Sequence, residues 1–219
     1  MSIGTLYHSR VTRAQDAVQV IEPGMRLYLT GNCSVPQSLL AALVDRAPSL
    51  HDVEIVQVLT VGRADYVAPG MEQFLRVNTL FISDNVRQAV NEGRADFTPV
   101  LLSEIPGLFK RGHLPLDVAL IQVSPPDEHG FCSFGIEVGL TKPAAQSAKL
   151  VIAEVNQRMP RTLGDSFIHV SKIDRIVPVD YPLPEFKMAE SSPVTDRIAQ
   201  HIAELIPDGA TLQTGIGGI

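Results

Sequence analysis

The chain has 219 residues, 45% of them hydrophobic and 19% charged, enough for one substantial core or for one domain and the opening of a second. A net charge of −6, a pI near 5.5 and the lack of any Lys/Arg cluster argue against a nucleic-acid surface. Apolar runs such as Val118–Ile121 are too short to span a bilayer, Met1–Gly4 has no secretory pattern, and two cysteines, Cys33 and Cys132, suit a reduced compartment. The expectation is a cytoplasmic protein with no membrane partner.

In chain order, the predicted strands are Arg26–Thr30, Val53–Val61, Thr79–Ser83, Val118–Ser124, Leu150–Val155, Ile176–Val179 and Ala210–Thr214. Several are short β-branched runs without polar alternation, as expected of strands buried on both faces. The predicted helices are Pro36–Asp45, Asn85–Glu92, Ser103–Arg111, Lys142–Ala148 and Pro193–Ile206. The last has the clearest signal: Ser192 can cap it, Pro193 takes its first position, Asp196 suits the dipole, and Val194, Ile198, Ile202, Leu205 and Ile206 form one apolar stripe. Strands alternating with helices imply an α/β fold, a mostly parallel sheet flanked by helices. The proline-rich stretch 181–191 has neither period and is expected to be a linker, with a first domain over 1–190 and a second beginning at 192–219.

Two passages echo each other. Ile21–Pro36 and Ile206–Ile219 both run from Ile and Pro through Gly and an apolar strand to Thr-Gly. After the first copy a helix begins behind Pro36, so a duplicated βα unit is expected, although Pro-Gly and Thr-Gly turns are also common by chance. The second copy reaches the last residue inside Gly215-Ile216-Gly217-Gly218-Ile219, the kind of turn in which backbone N–H groups can approach a ligand. The chain is therefore expected to be part of a longer enzyme, ending within the first βα elements of a second domain of similar fold.

Three loops follow strands at the edge where parallel sheets bind ligands. In Ser124–Gly135, Asp127, Glu128 and His129 could look like an acid/base set, but adjacent turn residues diverge, and a rigid cleft wall is the better expectation. In Glu154–Asp165, Asn156 can bond turn backbone, while Arg158 or Arg161 could either meet an anion or lie on the surface. In Gly31–Ser34, Cys33 could be an activated thiolate but is expected to be a small buried filler. His8, His51, His113, His129, His169 and His201 show no metal spacing, so no metal site is expected.

The set Ser124-Pro125-Pro126-Asp127…Gly130, Asn156…Met159-Pro160-Arg161-Thr162…Gly164 and Gln213–Ile219 resembles the acetyl-CoA hydrolase/CoA-transferase family, within it most closely the 4-hydroxybutyrate and butyrate CoA-transferases. The likeness runs from about Glu22 to the last residue and implies a protein about twice this length, with two similar α/β domains meeting at the active site. It implies transfer of coenzyme A between an acyl-CoA and a short carboxylic acid through a glutamyl-CoA thioester. Acyl-CoA hydrolysis and a non-catalytic CoA-binding or assembly module are the alternatives. The family's reactive glutamate belongs to the absent C-terminal domain; no glutamate here matches its motif, so no catalytic residue is assigned and the fragment alone is expected to be inactive. The resemblance places CoA contacts on Gly215, Ile216, Gly217, Gly218 and Ile219, with CoA as substrate, no permanent cofactor, and a homodimer or larger oligomer.

Overall fold

The structure, a computed structural model, describes residues 2–186 and 191–215. The chain divides into two compact units, Met1–Pro184 and Glu185–Ile219. In the first, α1 (Ile3–Arg10) and α2 (Ala14–Ala17) precede β1 (Arg26–Leu29), α3 (Gln37–Arg46), β2 (Val53–Gln57), β3 (Leu75–Thr79), α4 (Asp84–Asn91) and β4 (Asp96–Phe97). Next come α5 (Ile105–Lys110), β5 (Val118–Val123), β6 (Phe131–Ser133), α6 (Thr141–Ser147), β7 (Leu150–Asn156), β8 (Phe167–His169) and β9 (Arg175–Val179). The second unit contains α7 (Pro193–Glu204).

Seven strands form one sheet in the order β4-β3-β2-β1-β5-β7-β9, with every pairing parallel. All six residues of β5 and six of seven in β7 are buried, as a strand covered on both faces requires. Successive side chains feed two cores. Leu27, Leu29, Val118 and Leu120 pack with Leu39 and Leu43 of α3. Tyr28, Ala119 and Ile121 pack with Phe109 of α5 and Ala144 of α6. The period of two thus sorts one apolar run into two layers.

Several boundaries differ from those expected. The strand placed at Thr79–Ser83 lies at Leu75–Thr79, where Leu75, Val77 and Thr79 are buried and Arg76 and Asn78 are half-buried. Near the sheet's end the polar residues have partners: Arg76 binds Asp96 and Asn78 donates to Glu54, so alternation, not an unbroken apolar run, marks the strand. The strand placed at Val53–Val61 ends at Gln57, because Leu59 turns to a φ of 38°. The segment Ala210–Thr214 is not a strand, and no ladder partner lies beside it among the described residues. The first copy of the echo shows strand, glycine turn and helix; in the second, Ala210–Thr214 is irregular and residues 216–219 lie outside the described residues. β6, inside the loop expected over Ser124–Gly135, pairs antiparallel with β8, where no element was expected; neither strand, nor α1, begun by Ser2, had a legible period.

Candidate functional site

β1 is where the strand order reverses: β2 to β4 lie on one side, and β5, β7 and β9 on the other. In open parallel sheets ligands bind at such a switch point, between the loops leaving neighbouring strands, which here are those after β1 and β5. Gly31 is required in the first loop, since a Cβ there would sit 1.9 Å from the Val58 carbonyl oxygen. Asn32 follows at φ 50°; its N–H donates to Leu59 O at 2.5 Å, and Val61 N–H donates to Asn32 O at 3.2 Å. Two strained non-glycine residues, Asn32 and Leu59, therefore face each other across the loops after β1 and β2. Beside them a cavity of about 550 Å³ is lined by Val35, Leu40, Val44, Val61 and Arg63 among others.

The helix that follows cannot cap itself, because Pro36 offers no polar side chain. Its amides are met from across the sheet. Leu39 N–H donates to Glu154 Oε1 at 2.6 Å, Gln37 N–H donates to the Tyr181 hydroxyl at 3.0 Å, and that hydroxyl donates to Glu154 Oε2. Gln122 donates to Val35 O and to Tyr181 Oη, both at 3.0 Å, while Asn156 donates to Gln122 Oε1 at 2.9 Å and to Tyr181 O at 3.0 Å. Burial pushes the Glu154 carboxyl up to about 7, against the pull of Tyr181 and the Leu39 and Ser38 amides. Burial and the Glu154 charge raise the Tyr181 phenol. The positive end of α3 is thus filled by the protein's own carboxylate, which excludes an external anion from that helix end.

The loops after β5 and β7 are zipped together by hydroxyls. Ser133 N–H donates to Ser124 Oγ at 2.9 Å; the Ser133 hydroxyl donates to Thr162 O and accepts from Gly135 N–H, each at 3.1 Å. Gly135 itself has a φ of 65° and Met159 Sδ 2.1 Å from where a Cβ would stand. Asp127 accepts from Phe131 N–H at 2.8 Å, from His129 N–H at 3.0 Å and from Arg161 Nη2 at 2.5 Å. Those backbone bonds, with Arg161, hold its carboxyl below the usual range. It is a clamp rather than a base, and Glu128 and His129 are largely solvated, 85% and 75% exposed. Of the two arginines weighed for an anion, Arg158 pairs with Asp180 at 2.6 Å and Arg161 with Asp127, so the chain's own acids occupy both. Asn156 does bond backbone, accepting from Arg158 N–H at 2.9 Å, but it is fully buried in the Tyr181 network.

Between the loops after β1 and β5, the Asn32 amide donates to Glu137 Oε2, and Leu140 N–H donates to Glu137 Oε1 at 3.4 Å. Under them the hydroxyls of Tyr28, Thr141 and Thr30 run in a buried chain, with contacts of 3.4 and 3.3 Å. Cys33, expected to be buried, is half-exposed in the same loop, because the turn at Asn32 lifts it from the sheet. Cys132 is buried, and desolvation pushes its thiol up to about 12. Among the described residues no three His, Cys, Asp or Glu side chains gather to hold a metal, and no helix is long and apolar enough to cross a membrane. Of the glycine-loop residues, Gly215 lies in irregular backbone, while Ile216, Gly217, Gly218 and Ile219 lie outside the described residues. Glu137, Glu154 and Tyr181 had no local signal, since their partners are distant in sequence: Leu39 and Glu154 are 115 residues apart.

A doubly covered parallel sheet with its working loops at the switch point defines an α/β domain of the kind that binds ligands across strand ends. Residues 2–184 match the family model of the acetyl-CoA hydrolase/transferase N-terminal domain, and the chain belongs to that family. It is 49% identical over 214 residues to the 4-hydroxybutyrate coenzyme A transferase of Clostridium kluyveri, covering 98% of this chain and 50% of that protein. It is 43% identical to a succinyl-CoA:acetate/propanoyl-CoA:succinate CoA transferase of Fasciola hepatica, covering 91% of this chain and 42% of that protein. The chain thus spans about half the length of these relatives. Among solved structures, RipA from Yersinia pestis superposes with a TM-score of 0.92 at 30% identity over 99% of this chain and 53% of its own. A 4-hydroxybutyrate CoA-transferase from Porphyromonas gingivalis superposes at 0.82 and 35% identity, over 98% and 50%.

Proposed function

We propose that this chain forms the N-terminal half of a CoA-transferase cleft, which moves coenzyme A between an acyl-CoA and a short-chain carboxylic acid. The carrying observation is the 49% identity, over nearly the whole chain, to a 4-hydroxybutyrate coenzyme A transferase. The reactive glutamate comes from the portion of the relatives' length that this chain does not span. Its carboxylate attacks the thioester carbonyl and expels CoA thiolate, leaving a mixed anhydride. The thiolate then attacks the glutamyl carbonyl, releasing the first acid and forming glutamyl-CoA; the acceptor carboxylate reverses both steps.

The described glutamates at the strand ends support that assignment. Glu154 is buried beneath helix amides, Glu137 is tied to Asn32, and Glu128 points into solvent. Within this reading the loops after β1, β5 and β7 are one cleft wall, and the Gly215–Ile219 turn offers backbone N–H groups to the pantetheine or to the developing oxyanion. The substrates enter from the cytoplasm, no permanent cofactor is required, and the working enzyme is a homodimer or larger. Hydrolysis is the second reading, because the family's own description includes it.

Full-length protein incubated with acetyl-CoA, with and without butyrate, tests both. Butyryl-CoA formed only with butyrate supports transfer; free thiol alone means hydrolysis. Normal transferase activity from residues 1–219 alone would overturn the assignment of the nucleophile.

A further inference from the structure

Beside the strained pair at the switch point stands an acidic side chain, Glu137, that the cleft-wall role leaves unused. Glu137 is half-buried, and its carboxylate accepts only from the Asn32 amide and the Leu140 N–H among the described residues. None of the Lys, Arg or His ion pairs among those residues involves it. Of the other carboxylates near the strand ends, Asp127 pairs with Arg161, Asp180 pairs with Arg158 and Glu154 is buried beneath the α3 amides, while Glu128 is open to water rather than partly desolvated as Glu137 is. Asn32 holds Glu137 from a backbone that is itself pinned, since its N–H and C=O are bonded to Leu59 and Val61. The charge is also felt below the surface: after burial, Glu137 is one of the causes that raise the Tyr28 phenol. A side chain serving only to steady the loop would do so as well without a net charge.

We propose that Glu137, positioned by Asn32, is a charge filter at the switch-point crevice that rejects acyl groups and acceptor acids bearing a second carboxylate and accepts those whose far end is neutral. The proposal rests on the CoA-transfer reading and names the substrate class within it. A second carboxylate brought near an uncompensated carboxylate at a partly desolvated site meets repulsion that the low local dielectric strengthens. A neutral chain does not, and a terminal hydroxyl can donate to a carboxylate oxygen. Specificity of this kind works by penalising the wrong ligand rather than by gripping the right one.

The test uses the full-length enzyme, with kcat/KM measured for butyrate and for succinate as CoA acceptors from acetyl-CoA. Wild type should prefer butyrate. Glu137→Gln, which keeps hydrogen-bonding capacity toward Asn32, should shift the succinate-to-butyrate ratio upward by about tenfold or more. Glu137→Asp, which keeps the charge, should retain the preference, and raising the salt should narrow the gap in wild type more than in Glu137→Gln. An unchanged ratio in Glu137→Gln, or equal wild-type kcat/KM for succinate and butyrate, overturns the filter while leaving CoA transfer standing. Failure of wild type to transfer CoA to either acid overturns the functional reading, and the filter with it. A melting temperature for each variant separates loss of fold from change of preference.

Discussion

The two longest helices begin in opposite ways. α7 is started by its neighbours: Ser192 Oγ accepts from Thr195 N–H at 3.2 Å, Thr195 Oγ1 accepts from Ser192 N–H at 2.8 Å, and Pro193 occupies the first position. α3 is started by residues from the far side of the sheet, Glu154 on β7 and Tyr181 beyond β9. The packing is reversed as well. α3 buries Leu39, Leu40, Ala42 and Leu43, while no residue of α7 is buried. A locally well-capped helix is thus a weak clue to stability, and a helix with no cap of its own can be the better anchored of the two. The difference bears on the site, because α3 directly follows the Gly31–Val35 loop at the switch point.

The strongest way to break this contrast is Glu154→Ala. It strips acceptors from the Leu39 N–H and the Tyr181 hydroxyl within a buried network and should cost roughly 3 kcal/mol of unfolding free energy. Urea unfolding followed by circular dichroism measures this; a loss below about 1 kcal/mol would mean that α3 is held by packing alone.

A comparable effect is expected with pH. The Glu154 carboxyl is raised from 4.5 to about 7 on folding, so the folded state takes up a proton that the unfolded state has released. The associated stability is full below about pH 4.5 and is lost as pH rises through about 7. Relative to Glu154→Gln, wild type should therefore lose up to about 3 kcal/mol across that window, at 1.36 kcal/mol per pKa unit. A difference between the two proteins that does not vary with pH would contradict the raised value.

The smallest effect belongs to α7. Ser192→Ala should weaken this helix by about 1 kcal/mol while leaving urea unfolding of residues 2–184 unchanged. Hydrogen exchange sharpens the same comparison: amides of α7 should exchange much faster than those of β5 and β7, whose residues are almost all buried. Slow exchange along α7 would show that its apolar stripe is covered in solution.

Patterns that depend on near neighbours were legible from the chain. The apolar runs of β1, β5 and β7, the helix behind Pro36 and the capping box at Ser192 each express a local rule, and the alternation of elements was enough to imply a parallel α/β sheet. The likeness to a CoA-transferase half was carried by three loop segments, and within their described part glycine records a backbone demand, such as the φ of 83° at Gly130. Errors fell where pairing overrides pattern: β3 sits four residues earlier than its apolar run suggested, because Arg76 and Asn78 find partners on neighbouring strands.

The amino-acid order by itself determined most of the central strands and helices and the family to which the chain belongs, since period and turn residues act over a few positions. Only the tertiary structure decided that Glu154 fills the α3 terminus, that Asp127 and Arg161 neutralise each other, and that Glu137 bonds Asn32 and forms no ion pair among the described residues. Burial and charge pairing depend on distance in space. Parallel strands bring together residues more than a hundred positions apart, a separation over which no local pattern extends.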